Sequence, residues 1–506
     1  MNRFLSSISF FALALPLALA TPAIAERTQH QLPEGYFVPA KFPPVAIHPR
    51  PDAETPAEAY HRVAYPGMRW DCPVRAAFGA YPYFAEIVTA PAGMTIGAWL
   101  VEKPDGELSE DAAYCTLTWP QPVVGTYPIA VRITDQQGAA VDFTWTLVVD
   151  TQHHYFVAPV ATGKGDGSSR ADQAAFATVF GPTSQEVSPA KGHVLVLASG
   201  TYPISEPMKL LPDRKPVSIM AYPGDTPELL ATDRLARISH KSSDSMLSGL
   251  RFRNFGNAGC IFTYDGGDRL SVWRNTFTGF FGDTKISDNE SVWFCGRLDR
   301  GKRRYLLMAE NTYVDCIDVC VFDFYTVGPM LSERDVFITS QPKVSEPLWF
   351  PKSMCDYDIR RHVFDNPGSL APWSGVMAGY NAKHEGGTSS GEVRYNFVRS
   401  AIGEGALSRW NGASTADTQA CFDYRNTYIG GGVAAVDYLR SNQVLFEANV
   451  IQNQAGGIAK KSDGFTEKDT ECHGQADIVD PAGKLVGPYK DRFRGRRGSQ
   501  IVGAKP

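Results

Sequence analysis

The sequence predicts an all-β chain, a solenoid of stacked strands preceded by a small β-domain. Three observations carry this. A short phrase returns through the second half: Trp273-Arg274-Asn275-Thr276-Phe277, Ala309-Glu310-Asn311-Thr312-Tyr313 and Tyr424-Arg425-Asn426-Thr427-Tyr428. Weaker copies place the Asn-equivalent positions at 254, 275, 311, 335, 362, 396, 426 and 449, with gaps of 21, 36, 24, 27, 34, 30 and 23. A short basic period with irregular additions is the pattern of a solenoid carrying loops on some rungs, and the β-branched and aromatic content makes those rungs strands. The third observation lies upstream, where residues 125–135 and 141–149 alternate apolar and polar side chains around a Gln-Gln-Gly turn, as a half-buried hairpin does.

The first 25 residues stand apart from the fold. Arg3, an apolar run from Phe4 to Ala20 and the small-x-small triplet Ala23-Ile24-Ala25 read as a secretory signal peptide cut after Ala25. This predicts a secreted or periplasmic protein, and no later run is long enough to span a bilayer. A Pro-rich lead-in covers 26–65, the small β-domain 66–152, the solenoid roughly 160–470, and a basic tail 471–506. Without Arg3, 48 Lys and Arg stand against 54 Asp and Glu, a balance that argues against general nucleic-acid binding. The local cluster of Arg297, Arg300, Lys302, Arg303 and Arg304 suits an acidic polymer or a solvated loop equally well. Export permits disulfides, and Cys72 with Cys115 is the candidate pair in the small domain. The remaining cysteines fit as small apolar residues of the solenoid interior.

In such a stack each Asn can occupy a tight turn and bond to its copy in the next rung. On these phrases the chain resembles the right-handed parallel β-helix, or pectate-lyase-like, superfamily. Gly165-Asp166-Gly167, an apolar pattern from Arg170 to Phe180, Val194-Leu195-Val196-Leu197 and Gly200-Thr201-Tyr202 resemble the entry of many such chains. The 170–180 pattern predicts an amphipathic helix capped by Ser168 or Ser169 that closes the open end of the solenoid. The small domain resembles the cadherin-like and immunoglobulin-like β-sandwich modules of bacterial secreted proteins. The resemblance implies fold rather than substrate, because the β-helix hosts lyases, hydrolases, epimerases and adhesins.

Aligning the segments between Asn phrases gives quartets such as Val292-Trp293-Phe294-Cys295, Cys320-Val321-Phe322-Asp323 and Leu348-Trp349-Phe350-Pro351. Their third column is apolar or glycine throughout, so it is expected inward, leaving Trp293, Trp349, Asp323, Glu404 and Lys460 on the outer face. The resemblance implies that this face is a carbohydrate groove, where tryptophan suits the apolar faces of sugars. The longest additions carry Tyr380, Lys383, His384, Arg399, Glu404, Arg409 and Trp410, with Asp437 and Arg440 following.

Two chemistries compete for these residues. In β-elimination on an acidic glycan, Lys383, His384 or Tyr380 moves the proton and Arg399 or Arg409 neutralises the carboxylate, with Ca2+ held by Glu404 and Asp437 as the one cofactor the residues suggest. In hydrolysis two carboxylates act, and Glu404 with Asp437 is a closer pair than either with Asp323. Trp293, Trp349, Asp323, Arg297, Arg300, Trp410 and Arg440 are the expected substrate contacts. Proton transfer by basic residues and a tyrosine favours the lyase. A glycoside hydrolase and a non-catalytic glycan-binding envelope protein are the alternatives, and an epimerase would share the lyase's first step.

Overall fold

A computed structural model describes most of residues 44–473, leaving out segments such as 180–193, 280–291, 296–304, 381–388, 401–405 and 412–418 as well as both ends of the chain. The chain is a parallel β-helix of three long sheets. Sheet A has 13 strands, from Ala174–Ala175 and His154–Ala158 to Phe465–Lys468. Sheet B has 11, from Gly200–Ile204 to Glu471–His473, and sheet C has 10, from Met208–Leu210 to Ile458–Lys460. Each rung visits A, then B, then C, and every ladder within them is parallel, as in Leu247↔Val272 and Phe252↔Phe277.

The Asn phrases are the turn from sheet A to sheet B. The backbone N–H of Asn275 donates to Oδ1 of Asn311 at 3.0 Å, that of Asn311 to Oδ1 of Asp335 at 2.7 Å, and that of Asp335 to Nδ1 of His362 at 3.0 Å. The series continues from His362 to Asn396, Asn426 and Asn449. One rung earlier Leu250 donates to Asn275, so Leu250, not Asn254, is the first equivalent position. The first gap is therefore 25 residues rather than 21. The residue before the first five ladder positions takes the left-handed conformation: Gly249, then Arg274, Glu310, Arg334 and Arg361 at φ 57°, 58°, 58° and 59°. Such backbone is costly for a side chain other than glycine. It is held because the same N–H groups bond to the next rung, as Glu310 does to the carbonyl of Glu333.

Two residues past the ladder, inward side chains stack. Phe252, Phe277, Tyr313, Phe337 and Phe364 lie ring on ring, with successive centroids 4.9, 4.8, 4.6 and 4.5 Å apart. Aromatic pairs free to choose prefer offset or edge-on contact. Here the rung spacing of about 4.8 Å imposes the face-to-face stack. The lower end is closed differently from the expected long helix. Ala174–Ala175 adds a strand beside His154–Ala158, and among the described residues of this segment Phe176–Val179 is helical. Ser168 and Ser169 bond to Asp166 and Asp172 rather than capping a helix, and Phe176 packs on Tyr202. Pairing with the open strand edge satisfies backbone groups that a helix would have left exposed.

The hairpin forms as Gly125–Asp135 with Ala140–Val149, inside a four-stranded sheet completed by Tyr83–Thr89 and Val63–Ala64. A three-stranded sheet of Trp70–Pro73, Thr116–Trp119 and Thr95–Ile96 lies with it, and a short strand at Val45–His48 pairs with Arg75–Ala77. The core of this N-terminal module, including Trp70, Leu117, Ile133 and Phe143, is continuous with the outer side chains of sheet A: Val196, Met246, Trp273, Leu307 and Leu331. Cys72 stands opposite Leu117, while Val74 bonds to the carbonyl of Cys115. The two thiols are thus staggered along the ladder, and both are free and buried rather than bridged. Cys260 is a core residue of the solenoid.

Candidate functional site

The module covers the outer face of sheet A with a buried ionic seam. Arg75 reaches Glu310 at 2.7 Å and Glu333 at 2.5 Å. Arg360 contacts Glu333 and Asp358, and Arg394 contacts Asp358 at 2.6 Å. Both arginines also donate to backbone carbonyls of the module, Ala76 and Gly79, and to the Tyr83 hydroxyl. The amide of Phe78 donates to Asp358. Burial alone would raise the Asp358 carboxyl, but Arg394, Arg360 and that amide outweigh it and hold it at about 2. Burial pushes the Tyr83 hydroxyl up to about 12. These charges are paired within the seam, so they fix the module rather than offer a ligand site.

A second cluster has the residue types of a nucleophile relay. Nε2 of His48 lies 3.8 Å from the Cys72 sulfur and its Nδ1 lies 3.1 Å from the Ser271 hydroxyl. All three are buried, and burial raises the thiol well above its ordinary value despite Arg75. A protonated thiol without access to solvent is a packing group.

With sheet A covered down to Arg394, sheet C is the face on which the sequence candidates gather. Its register fixes four columns. The first runs through Ile238, Ile261, Val292, Val321, Trp349, Met377, Ser408 and Val436. The third runs through His240, Thr263, Phe294, Asp323 and Pro351, and Trp410 follows Gly379 in it. Ile238, Ile261, His240 and Thr263 are fully buried, which marks these as the interior columns. The second column holds Ser239, Phe262, Trp293, Phe322 and Phe350, and later Ala378, Arg409 and Asp437, with Lys460 brought opposite Asp437 by a register shift after Val436. The fourth holds Tyr264, Cys295, Phe324, Lys352, Tyr380 and Asn411.

Trp293, Tyr380, Arg409 and Asp437 therefore share the outer set of register positions. Arg409 is the direct partner of Asp437, which is in turn partnered by Lys460. Trp349 and Asp323, aligned with the outer face in the sequence, fall instead in the register columns of Ile261 and Thr263, and Trp410 follows Gly379 in the latter. That alignment set Trp293 level with Ile261, whereas Val292 is level with it. It also took Phe262, Phe322 and Phe350 as inward. These strands are apolar on both faces, so alternation alone did not distinguish them. Aligning on the β-branched series Ile261, Val292 and Val321 would have revealed the aromatic column and Lys352.

Arg399 lies on sheet B, in Phe397–Ser400, where its register neighbour is Asp365. Lys383, His384, Glu404, Arg297, Arg300 and Arg440 lie outside the described residues. Among the described residues no three His, Cys, Asp or Glu side chains gather as a metal site, and the register sets cations rather than acids beside Asp437. Among them, too, no helix is long and apolar enough to cross a membrane.

No family model and no curated protein matches the chain. Among solved structures, it is similar to the catalytic domain of a GH87 α-1,3-glucanase in complex with nigerose, at 9% identity and a TM-score of 0.32, covering 80% of this chain and 86% of that one. It is also similar to the Streptococcus pneumoniae surface protein and adhesin PfbA, at 10% identity and a TM-score of 0.24, covering 56% of this chain and 91% of that one. Likenesses this distant carry nothing about chemistry.

Proposed function

We propose that the protein is an exported carbohydrate-active enzyme that cleaves an acidic polysaccharide by β-elimination on the outer face of sheet C. The observation that carries this is the register of Arg409, Asp437 and Lys460 on three successive rungs, with Tyr380 one rung before and two positions along from Arg409. Rungs lie about 4.8 Å apart, so the run from Tyr380 to Lys460 is about 14 Å long and accommodates a short stretch of polymer, with Tyr380 and Arg409 on neighbouring rungs at one sugar unit. Arg409 neutralises the uronate carboxylate of that unit, which stabilises the negative charge that develops when the adjacent C–H proton leaves, and Lys460, two rungs on, meets a neighbouring uronate. Tyr380, whose register neighbour is Lys352, moves that proton, and Lys383 and His384 remain candidates for the same role. The electron pair forms the ring double bond, the glycosidic C–O bond breaks, and the leaving oxygen takes up a proton.

Hydrolysis would need two carboxylates about 5 to 9.5 Å apart. Among the strand positions of this outer set Asp437 is the one acid, so a hydrolase would have to recruit its second carboxylate, such as Glu404, from outside them. Calcium between Glu404 and Asp437 would have to form beside Arg409 and Lys460, and the elimination as written needs no metal to balance its charge. The apolar leader and its Ala23-Ile24-Ala25 triplet support export to the periplasm or beyond.

The test is to incubate the mature protein with a panel of acidic polysaccharides and follow both ultraviolet absorbance of unsaturated uronate and new reducing ends. Both rising together supports the lyase. Reducing ends without absorbance overturn it in favour of a hydrolase. Binding without either signal leaves a glycan-binding protein.

A further inference from the structure

The seam between module and solenoid holds three histidines that the proposed chemistry does not use. His48, from Val45–His48, contacts Cys72 and Ser271, and its ring meets that of His61 edge-on at 5.5 Å. The charged groups facing it are His61 and Arg75. His61 packs edge-on against Trp145 and faces Arg62. His154, in the first full strand of sheet A, sits under Tyr65 of the module and faces His153 and Asp150. Among the described residues Nε2 of His61 and both ring nitrogens of His154 have no hydrogen-bond partner. A small cleft along this seam is lined by His48, Arg50, His61, Asp244 and Arg269, and gives protons a route in. Its one acid, Asp244, is already paired through both oxygens with Arg269, and Arg50 lies over the Tyr305 ring.

We infer that His48, His61 and His154 form an acid-sensitive latch: protonating these rings releases the N-terminal module from sheet A while the solenoid stays folded. Each ring is seated neutral, His48 and His61 beside arginines and His154 near Asp150, whose carboxylate is already engaged by His153 at 2.8 Å, so a proton adds a poorly compensated buried charge. Burial, first, and the neighbouring cations lower His61 and His154 from 6.5 to about 3, and lower His48. The docked state thus binds fewer protons than the released state. Docking is complete above pH 6.5 and weakens as pH falls from there toward about 3, roughly tenfold per pH unit for each ring. Asp358, held at about 2, stays ionised through that window and does not supply the effect.

The test is hydrogen exchange of the full chain from about pH 7 down to about pH 4, expressed as protection factors. The Phe78 amide, bonded to Asp358 across the seam, reads docking, and the Asn426 amide, bonded to Asn449 inside the ladder, reads the solenoid. Phe78 is expected to lose protection steeply while Asn426 keeps it. The double variant His61→Phe/His154→Phe keeps the ring packing and is expected to flatten the Phe78 slope by about a hundredfold per pH unit. His48→Asn, used alone or where the double variant folds poorly, should flatten it about tenfold. Slopes unchanged in the variants, or Asn426 losing protection in step with Phe78, would overturn the latch.

Discussion

Nη2 of Arg75 lies 2.7 Å from Oε1 of Glu310, with neither side chain exposed, although one belongs to the N-terminal module and the other to a solenoid turn 235 residues away. A buried ion pair adds little net stability over well-packed apolar groups, but breaking one leaves an uncompensated charge. The seam therefore selects one docking geometry. Arg394→Ala should cost about 3–5 kcal/mol by equilibrium denaturation, because Asp358 would lose its closest counter-charge. Arg132→Ala, which breaks an exposed pair with Asp142, should leave the denaturation midpoint unchanged. Equal effects from the two would mean that the seam is not docked in solution.

The Asn ladder offers a second check on the fold. Asn311 accepts from the amide of Asn275 and donates through Nδ2 to the carbonyl of Val272. Asn311→Ala leaves that buried amide and carbonyl short of partners, a loss of about 1–3 kcal/mol for each group. Asn311→Asp, the residue the next rung already uses, should be milder. Denaturation of the two variants side by side gives the comparison.

The ladder also marks what the sequence could convey. The phrases at Asn275, Asn311 and Asn426 are legible because the same turn repeats and its side chain must do the same job each time. Asn254 misled because Arg253-Asn254-Phe255 mimics the phrase four residues after the true position, Leu250. The seam was invisible in sequence: Arg75, Arg360 and Arg394 look like surface charges until the topology buries them. Trp349 and Asp323 were assigned to the wrong set for a different reason. Sheet C carries apolar residues in both sets, Phe262, Trp293, Phe322 and Phe350 in one and Ile261, Val292 and Val321 in the other, so the two-residue period that normally reveals the core is absent.

His362 stands where other rungs carry Asn, and its protonation state is fixed by its contacts. Nδ1 accepts from the Asp335 amide, so the proton sits on Nε2, which faces the Ser332 hydroxyl. Burial lowers this imidazole from 6.5 to about 3. The folded chain thus binds fewer protons there than the unfolded chain, and this rung loses stability as pH falls below 6.5 toward about 3. Asp335 acts in the opposite sense, since burial raises its carboxyl and favours the proton-bound form at low pH. His362→Asn should flatten the acid side of the stability–pH curve, measured as global unfolding midpoints. A curve unchanged in shape would refute this account of the rung.

On the proposed reading, two tryptophans separate the groove from the core. Trp293 shares its column with Arg409, whereas Trp349 shares one with Ile261, which is fully buried. On the proposed lyase, Arg409→Ala should lower kcat by about 10²–10³-fold, the scale of losing one charge-stabilising donor. Trp293→Ala should raise KM for a polysaccharide with little change in kcat, because stacking holds the sugar before and during the reaction alike. Trp349→Ala should act on the fold, lowering stability by about 3–5 kcal/mol as a large core truncation does. Steady-state kinetics and denaturation on the three variants check each assignment. A KM effect at Trp349 with no loss of stability would exchange the two faces of sheet C and move the site with them.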